Sequence, residues 1–143
     1  MQQASEQTPS GLMSVFLGRD SELNLAMLAA RKWCTNQLKI REPVVCEIAN
    51  YLFSGCKVIG GNNEALEFIE LNSKEFKLKK LKRLPVSGAF HTKLMKPVEE
   101  KLKEELKNIH FNRPLINFYS NYQGNLCKSP EKIKLNLIKQ LAN

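Results

Sequence analysis

Residues 44–62 read VVCEIANYLFSGCKVIGGN, and the punctuation of this stretch decides the fold. Val44 to Phe53 has the β-branched and aromatic composition of a strand, Ser54-Gly55 is a turn pair, and Lys57 to Ile59 resumes the apolar texture. The segment therefore reads as a two-stranded hairpin. Upstream, Leu12, Met13, Val15, Phe16 and Leu17 lie between Gly11 and Gly18 and form a mostly buried strand. A helix follows, with Asp20 or Ser21 placed to cap it and Leu23, Met27, Leu28, Ala30, Trp33 and Cys34 near helical spacing. The hairpin begins after a break at Arg41-Glu42-Pro43.

Downstream, Gly60-Gly61-Asn62 reads as a tight turn opening a second helix, whose inner side carries Ala65, Leu66, Phe68, Ile69 and Phe76. The pair lacks the full G-x-G-x-x-G or the G-K-[ST] ending of a phosphate loop. Leu78 to Val86 then makes a lysine-studded fourth strand. Strand, helix, strand, strand, helix, strand is the ferredoxin-like split βαβ order. It occupies residues 11–86, after a polar lead-in at residues 1–10.

Residues 87–143 have another texture. Leu94, Val98, Leu102, Leu106 and Ile109 mark one stripe of a helix whose other faces are Lys and Glu, and Pro97 must lie in its first turn or kink it. Leu115 to Tyr119 reads as a compact strand. Ser129-Pro130-Glu131 supplies a cap, a proline at the first helical position and an early acid for a last helix running through Leu141. The strand has no sheet partner in this tail, and unpaired backbone groups must find one elsewhere.

The chain's 143 residues include 22 Lys and Arg against 14 Asp and Glu, a net +8 that favours an acidic or phosphorylated partner. No apolar run approaches the roughly 20 residues of a membrane span, so a transmembrane reading is excluded, and no membrane partner is expected. Cys34, Cys46, Cys56 and Cys127 show no metal-ligand spacing and read as free thiols. Met1 to Gly11 has neither the apolar core of a signal peptide nor the Arg-rich character of a transit peptide.

In Leu84-Pro85-Val86-Ser87-Gly88-Ala89-Phe90-His91-Thr92 a strand runs into a small-residue turn that presents His91 just before a helix. Spacing leaves two roles for it, proton transfer at a strand's end or local capping and packing. His110 reads as a surface or structural residue. Ser14, Ser54 and Ser87 lack the glycine framing of a nucleophile elbow. The basic run Lys74, Lys77, Lys79, Lys80, Lys82 and Arg83 is either a solvated edge that discourages strand-to-strand aggregation or a docking surface.

The stretch Leu84 to Thr92, its continuation Lys93-Leu94-Met95-Lys96-Pro97, Asn50-Tyr51-Leu52-Phe53, Tyr119-Ser120-Asn121 and the opening Met1 to Glu6 with Pro9-Ser10-Gly11 resemble the malonyl-CoA:acyl carrier protein transacylase family, its mitochondrial members in particular. The resemblance implies an α/β architecture, a ferredoxin-like βαββαβ subdomain followed by part of an α/β-hydrolase-like acyltransferase subdomain. The Leu115 to Tyr119 strand would join a parallel sheet mostly outside this chain. It further implies that His91 is the acid and base of a serine–histidine pair, and that Gln140 orients it through the main-chain carbonyl. The substrates would be malonyl-CoA, a coenzyme A thioester, and the phosphopantetheine thiol borne by acyl carrier protein, in mitochondrial fatty acid synthesis with no bound cofactor or metal. Lys77, Lys79, Lys80, Lys82 and Arg83 would be the partner-binding surface.

The family's serine, oxyanion-hole glutamine and malonyl-binding arginine lie upstream of the position matching Met1. The chain is thus expected to be an internal piece, inactive alone. A non-catalytic module binding acyl carrier protein is the alternative. An RNA-binding ferredoxin-like domain would need aromatic residues on central strands; Tyr51 and Phe53 share a strand face by parity but serve equally as core.

Overall fold

The computed structural model describes residues 8–40 and 43–142; the first seven residues of the lead-in, the Arg41-Glu42 break and Asn143 lie outside the described residues. Strands β1 (Ser10–Leu17), β2 (Cys46–Phe53), β3 (Cys56–Asn62) and β4 (Leu78–Arg83) alternate with helices α1 (Leu23–Asn36) and α2 (Asn63–Leu71) in the expected βαββαβ order. They form one antiparallel sheet in the order β2-β3-β1-β4. A 3₁₀ turn (Lys93–Met95), α3 (Lys96–Lys107) and α4 (Pro130–Lys139) follow.

One sheet face carries the core. Met13, Val15, Cys46 and Ile59 pack beneath Leu23, Ala26, Met27, Ala30 and Cys34 of α1 and Ala65, Leu66 and Ile69 of α2. Fully burying a side chain of Leu, Ile or Met size contributes about 1.5–3 kcal/mol. The α1 stripe differs from the sequence reading at Leu28, which is exposed because positions 23, 26, 27, 30 and 34 already fill the 3.6-residue period. The caps differ as well. The residue before α1 is Glu22, whose side chain makes no cap bond. Ser21 Oγ instead accepts from Gly18 N (2.8 Å) and donates to Lys77 O (2.5 Å), tying the start of α1 to the approach to β4.

Three strand readings are corrected. Gly60-Gly61 is not a tight turn: both residues lie inside β3, paired with Leu12 and Gly11 on one side and with Glu47 and Cys46 on the other. A Cβ on Gly61 would sit 2.2 Å from Val45 O, so glycine is required for close backbone approach and not for a positive φ. β4 ends at Arg83 rather than Val86. Leu84 N still donates to Leu12 O (2.9 Å), but Pro85 has no N–H with which to continue the ladder. Leu115 to Tyr119 is not a strand: Tyr119 makes an isolated bridge to Leu126, and Leu115 and Ile116 are almost wholly exposed. No other sheet edge among the described residues pairs with it, so the ladder that would make it a strand is absent.

Tyr51 and Phe53 are exposed on edge strand β2, and a register shift between them breaks their parity. Neither is core, and of the two central strands β3, CKVIGGN, has no aromatic residue while β1 has Phe16, whose ring meets that of Phe53 edge-on.

The last helix follows its local signals. Ser129 Oγ accepts from Lys132 N (3.3 Å), Pro130 occupies the first turn, and the Ser129 hydroxyl also donates to Glu131 Oε2 (2.7 Å). That hydrogen bond, helped by the backbone, holds the Glu131 carboxyl below its ordinary value of 4.5. A depressed carboxyl contributes stability that is fully present above its unfolded pKa and is lost as pH falls through the folded one.

Two substitutions probe these constraints. Gly61→Ala should lower the urea midpoint without changing the slope, by the 1–3 kcal/mol or more typical of overpacking, about what a methyl driven into rigid backbone costs. Ser129→Ala should remove about 1 kcal/mol of cap stability at neutral pH, and less once the pH has fallen far enough to protonate Glu131, read by hydrogen exchange in α4.

Candidate active site

After β4 the chain crosses the sheet face opposite α1 and α2. Gly60 leaves that face bare: a Cβ there would meet Thr92 Cγ2 at 2.6 Å, Leu12 Cδ2 at 2.8 Å and Ala89 Cβ at 3.4 Å. Ala89 and Thr92 are fully buried. Ala89 N donates to Ser10 Oγ (3.3 Å), and Thr92 Oγ1 donates to Ala89 O (2.6 Å) while accepting from Leu94 N (3.3 Å). The loop is thus riveted to the sheet on both sides of Phe90 and His91.

His91 stands exposed between these anchors with φ +59°. The left-handed region disfavours most side chains, although His enters it more readily than bulky residues do. The end of α4 holds it there: His91 N donates to Leu141 O (3.2 Å), and Nδ1 lies 3.0 Å from Gln140 O. A carbonyl oxygen only accepts, so Nδ1 carries the hydrogen, and in the neutral ring the lone pair is on Nε2. The last carbonyls of a helix lack intrahelical donors, and here two of those at the α4 terminus are used to set a histidine.

A cleft of about 430 Å³ opens at the ring, lined by Ala49, Asn50, His91, Asn121, Tyr122 and Gln140. The only hydroxyl on this lining is the Tyr122 phenol, and it has no thiol. Ser14 is buried, donating to Lys82 O (3.2 Å), and all four cysteines are buried free thiols. Burial pushes the Cys46 thiol up to about 12, which leaves it protonated and unreactive at neutral pH. Among the described residues no group of three or more His, Cys, Asp or Glu is arranged to hold a metal ion. Among the described residues no helix is long and apolar enough to cross a membrane.

No family model matches the chain. It is 45% identical over 143 residues to the human mitochondrial malonyl-CoA-acyl carrier protein transacylase, across 100% of this chain and 36% of that protein. The crystal structure of an acyl carrier protein S-malonyltransferase from Vibrio cholerae superposes with a TM-score of 0.78 at 29% identity, over 100% of this chain and 44% of that one. A malonyl-transacylase in complex with its type II PKS acyl-carrier protein superposes at 0.75 and 29% identity, over 99% and 43%.

Over its whole length the chain matches one segment of the mitochondrial malonyl-CoA-acyl carrier protein transacylases. It spans little more than a third of the length of the human relative. Within the part of the transacylase fold present here, His91 and Gln140 meet at the cleft, whereas the basic run lies on edge strand β4. Lys80 and Lys82 register with Phe16 and Ser14 on one face, and Arg83 with Met13 on the other. Arg83 is engaged with Glu70 (3.1 Å) and Asn63 O (3.3 Å), so it braces α2 against β4, while Lys77, Lys79, Lys80 and Lys82 are exposed. His110 lies elsewhere, in a groove between α3 and α4. The carbonyl of Leu141, the Thr92 hydroxyl and Tyr122 carry no motif and emerge only from the geometry.

Thr92→Val tests the rivet. It keeps the shape but strips Ala89 O and Leu94 N of their partner, which should cost about 1–3 kcal/mol and accelerate amide exchange from His91 to Met95 ahead of the sheet.

Proposed function

We propose that this chain is the histidine-bearing part of a mitochondrial malonyl-CoA:acyl carrier protein S-malonyltransferase. The observation that carries the reading is the Nδ1 to Gln140 O contact of 3.0 Å, which leaves Nε2 basic beside an open cleft. In the transfer, Nε2 takes the proton of a serine hydroxyl as its oxygen attacks the malonyl thioester carbonyl. Collapse of the tetrahedral species breaks the C–S bond, and the imidazolium returns the proton to the departing coenzyme A sulfur. The phosphopantetheine thiol of acyl carrier protein then gives its proton to Nε2, attacks the acyl-serine, and the serine oxygen leaves with that proton.

Among the described residues no serine lines the cleft, and the family resemblance puts the serine on a segment upstream of the position matching Met1. The chain alone therefore performs no transfer. Exposed Lys77, Lys79, Lys80 and Lys82 offer an acidic carrier protein an electrostatic landing surface, with Arg83 bracing the strand beneath them. The relatives named as mitochondrial carry the assignment of compartment.

The test is an acyl-transfer assay of the chain with and without a polypeptide bearing the missing transacylase segments. Malonyl transfer is expected only with the complement. His91→Ala in the complemented complex should lower it by roughly 10²–10⁴-fold, the scale of a lost general base. Turnover by the chain alone, or full activity of the variant, would refute the reading. Carrier binding without turnover in every complemented sample would favour a binding module.

A further inference from the structure

We infer that Glu47 is a positioning residue for His91, acting through the backbone on the far side of the loop from Ser10. Glu47 lies on β2, registered with Gly60, on the sheet face over which Ala89 and Thr92 pack. Its Oε1 accepts from Lys93 N at 2.7 Å, and Oε2 lies 3.8 Å from Lys93 Nζ. Lys93 opens the 3₁₀ turn, where leading N–H groups have no partner within the helix, and it is two residues from the histidine. A carboxylate suits this position because a backbone N–H bond to an ionised acceptor is about twice as strong as one to a neutral group.

The loop is consequently held from three directions. Ser10 on β1 takes Ala89 N, Glu47 on β2 takes Lys93 N, and the end of α4 takes His91 itself. The first two anchors belong to the sheet and the third to the tail. With the Lys93 tie released, the residues after His91 are free to relax from their place over Gly60, and a left-handed residue lies at the point where that relaxation is felt. Nδ1 then exchanges its fixed contact with Gln140 O for solvent, and the imidazole reverts toward a mixture of tautomers.

The inference rests on the reading of His91 as the proton carrier only for its functional consequence; the geometric part is measured without catalysis. The 143-residue chain labelled with ¹⁵N reports the His91 tautomer through its two ring-nitrogen shifts, and hydrogen exchange reports the Lys93 amide. Glu47→Ala should shift the ring nitrogens toward the free-imidazole mixture and accelerate Lys93 exchange by on the order of 10–100-fold, with Met13 and Ile59 amides unchanged. Glu47→Gln, which keeps an acceptor of the same reach, should largely restore both. Glu47→Asp, shorter by one methylene, should behave as alanine does and gives the same readout should the alanine variant fail to fold.

In the complemented complex, Glu47→Ala should lower kcat with little change in KM for malonyl-CoA. Unaltered His91 shifts and Lys93 protection in both the alanine and aspartate variants would overturn the inference. Altered shifts with undiminished kcat would instead leave Glu47 as the anchor and count against His91 as the base.

Discussion

At Gly61 the main chain of Val45 and Cys46 lies against β3 with no room for a methyl group, and one residue earlier Gly60 receives Leu12, Ala89 and Thr92. Successive strand residues face opposite sides of a sheet, so the pair leaves bare backbone on both faces at one level. One face takes the approach to β2, fastened by Asn62 N to Val45 O (3.0 Å) and Val45 N to Asn62 Oδ1 (2.8 Å). The other takes the loop that carries His91. Two missing side chains therefore determine both where the edge strand closes on the sheet and how near the imidazole comes to Asn50.

The histidine's conformation is costly by itself. A non-glycine residue held in a sparsely populated backbone region costs on the order of 1–3 kcal/mol, and it persists only where its surroundings over-determine it. Here they do so through the register of α4. Ser129 and Pro130 set where that helix begins, and ten residues later its last carbonyls fall opposite the His91 N–H and Nδ1. A cap at one end of a helix thereby fixes the ring orientation at the other.

This division explains what was legible in the sequence. Periodicity and turn chemistry are local, so the βαββαβ order, the Ser54-Gly55 hairpin, the Pro97 start of α3 and the Ser129 cap could be read directly. The Gly60-Gly61 pair was misread because a tight turn and a bare strand need the same residue for different reasons, a positive φ in one and close approach in the other. Ser21 does not cap α1 because its hydroxyl is recruited by Lys77, far away in sequence. Leu115 to Tyr119 has strand composition without strand structure, since composition expresses a demand for a neighbour and cannot provide one. At the site, the resemblance singled out His91 and Gln140, whereas Glu47 was invisible: a carboxylate on an edge strand looks like any solvated charge until the backbone it holds is in view.

The lysines of β4 suit edge protection and the proposed carrier docking alike. An outermost strand exposes unpaired N–H and C=O groups, and closely spaced cations hinder another chain from adding to it. Lys80 and Lys82 are held out in solvent by the same alternation that turns Leu81, beside Val15, toward the core, while a register shift lets Leu78 face inward as well. Arg83, at the end of the run, turns to Glu70 and Asn63 and stiffens the strand from the helix side. Protection of the edge requires that the charges stay solvated and mobile, and long-range attraction of an acidic partner requires the same. The cost of desolvating a lysine falls due only at close contact, so the surface can steer an encounter without fixing its geometry. Precision in this molecule resides instead at the cleft, where a backbone carbonyl and not a flexible cation sets the His91 ring.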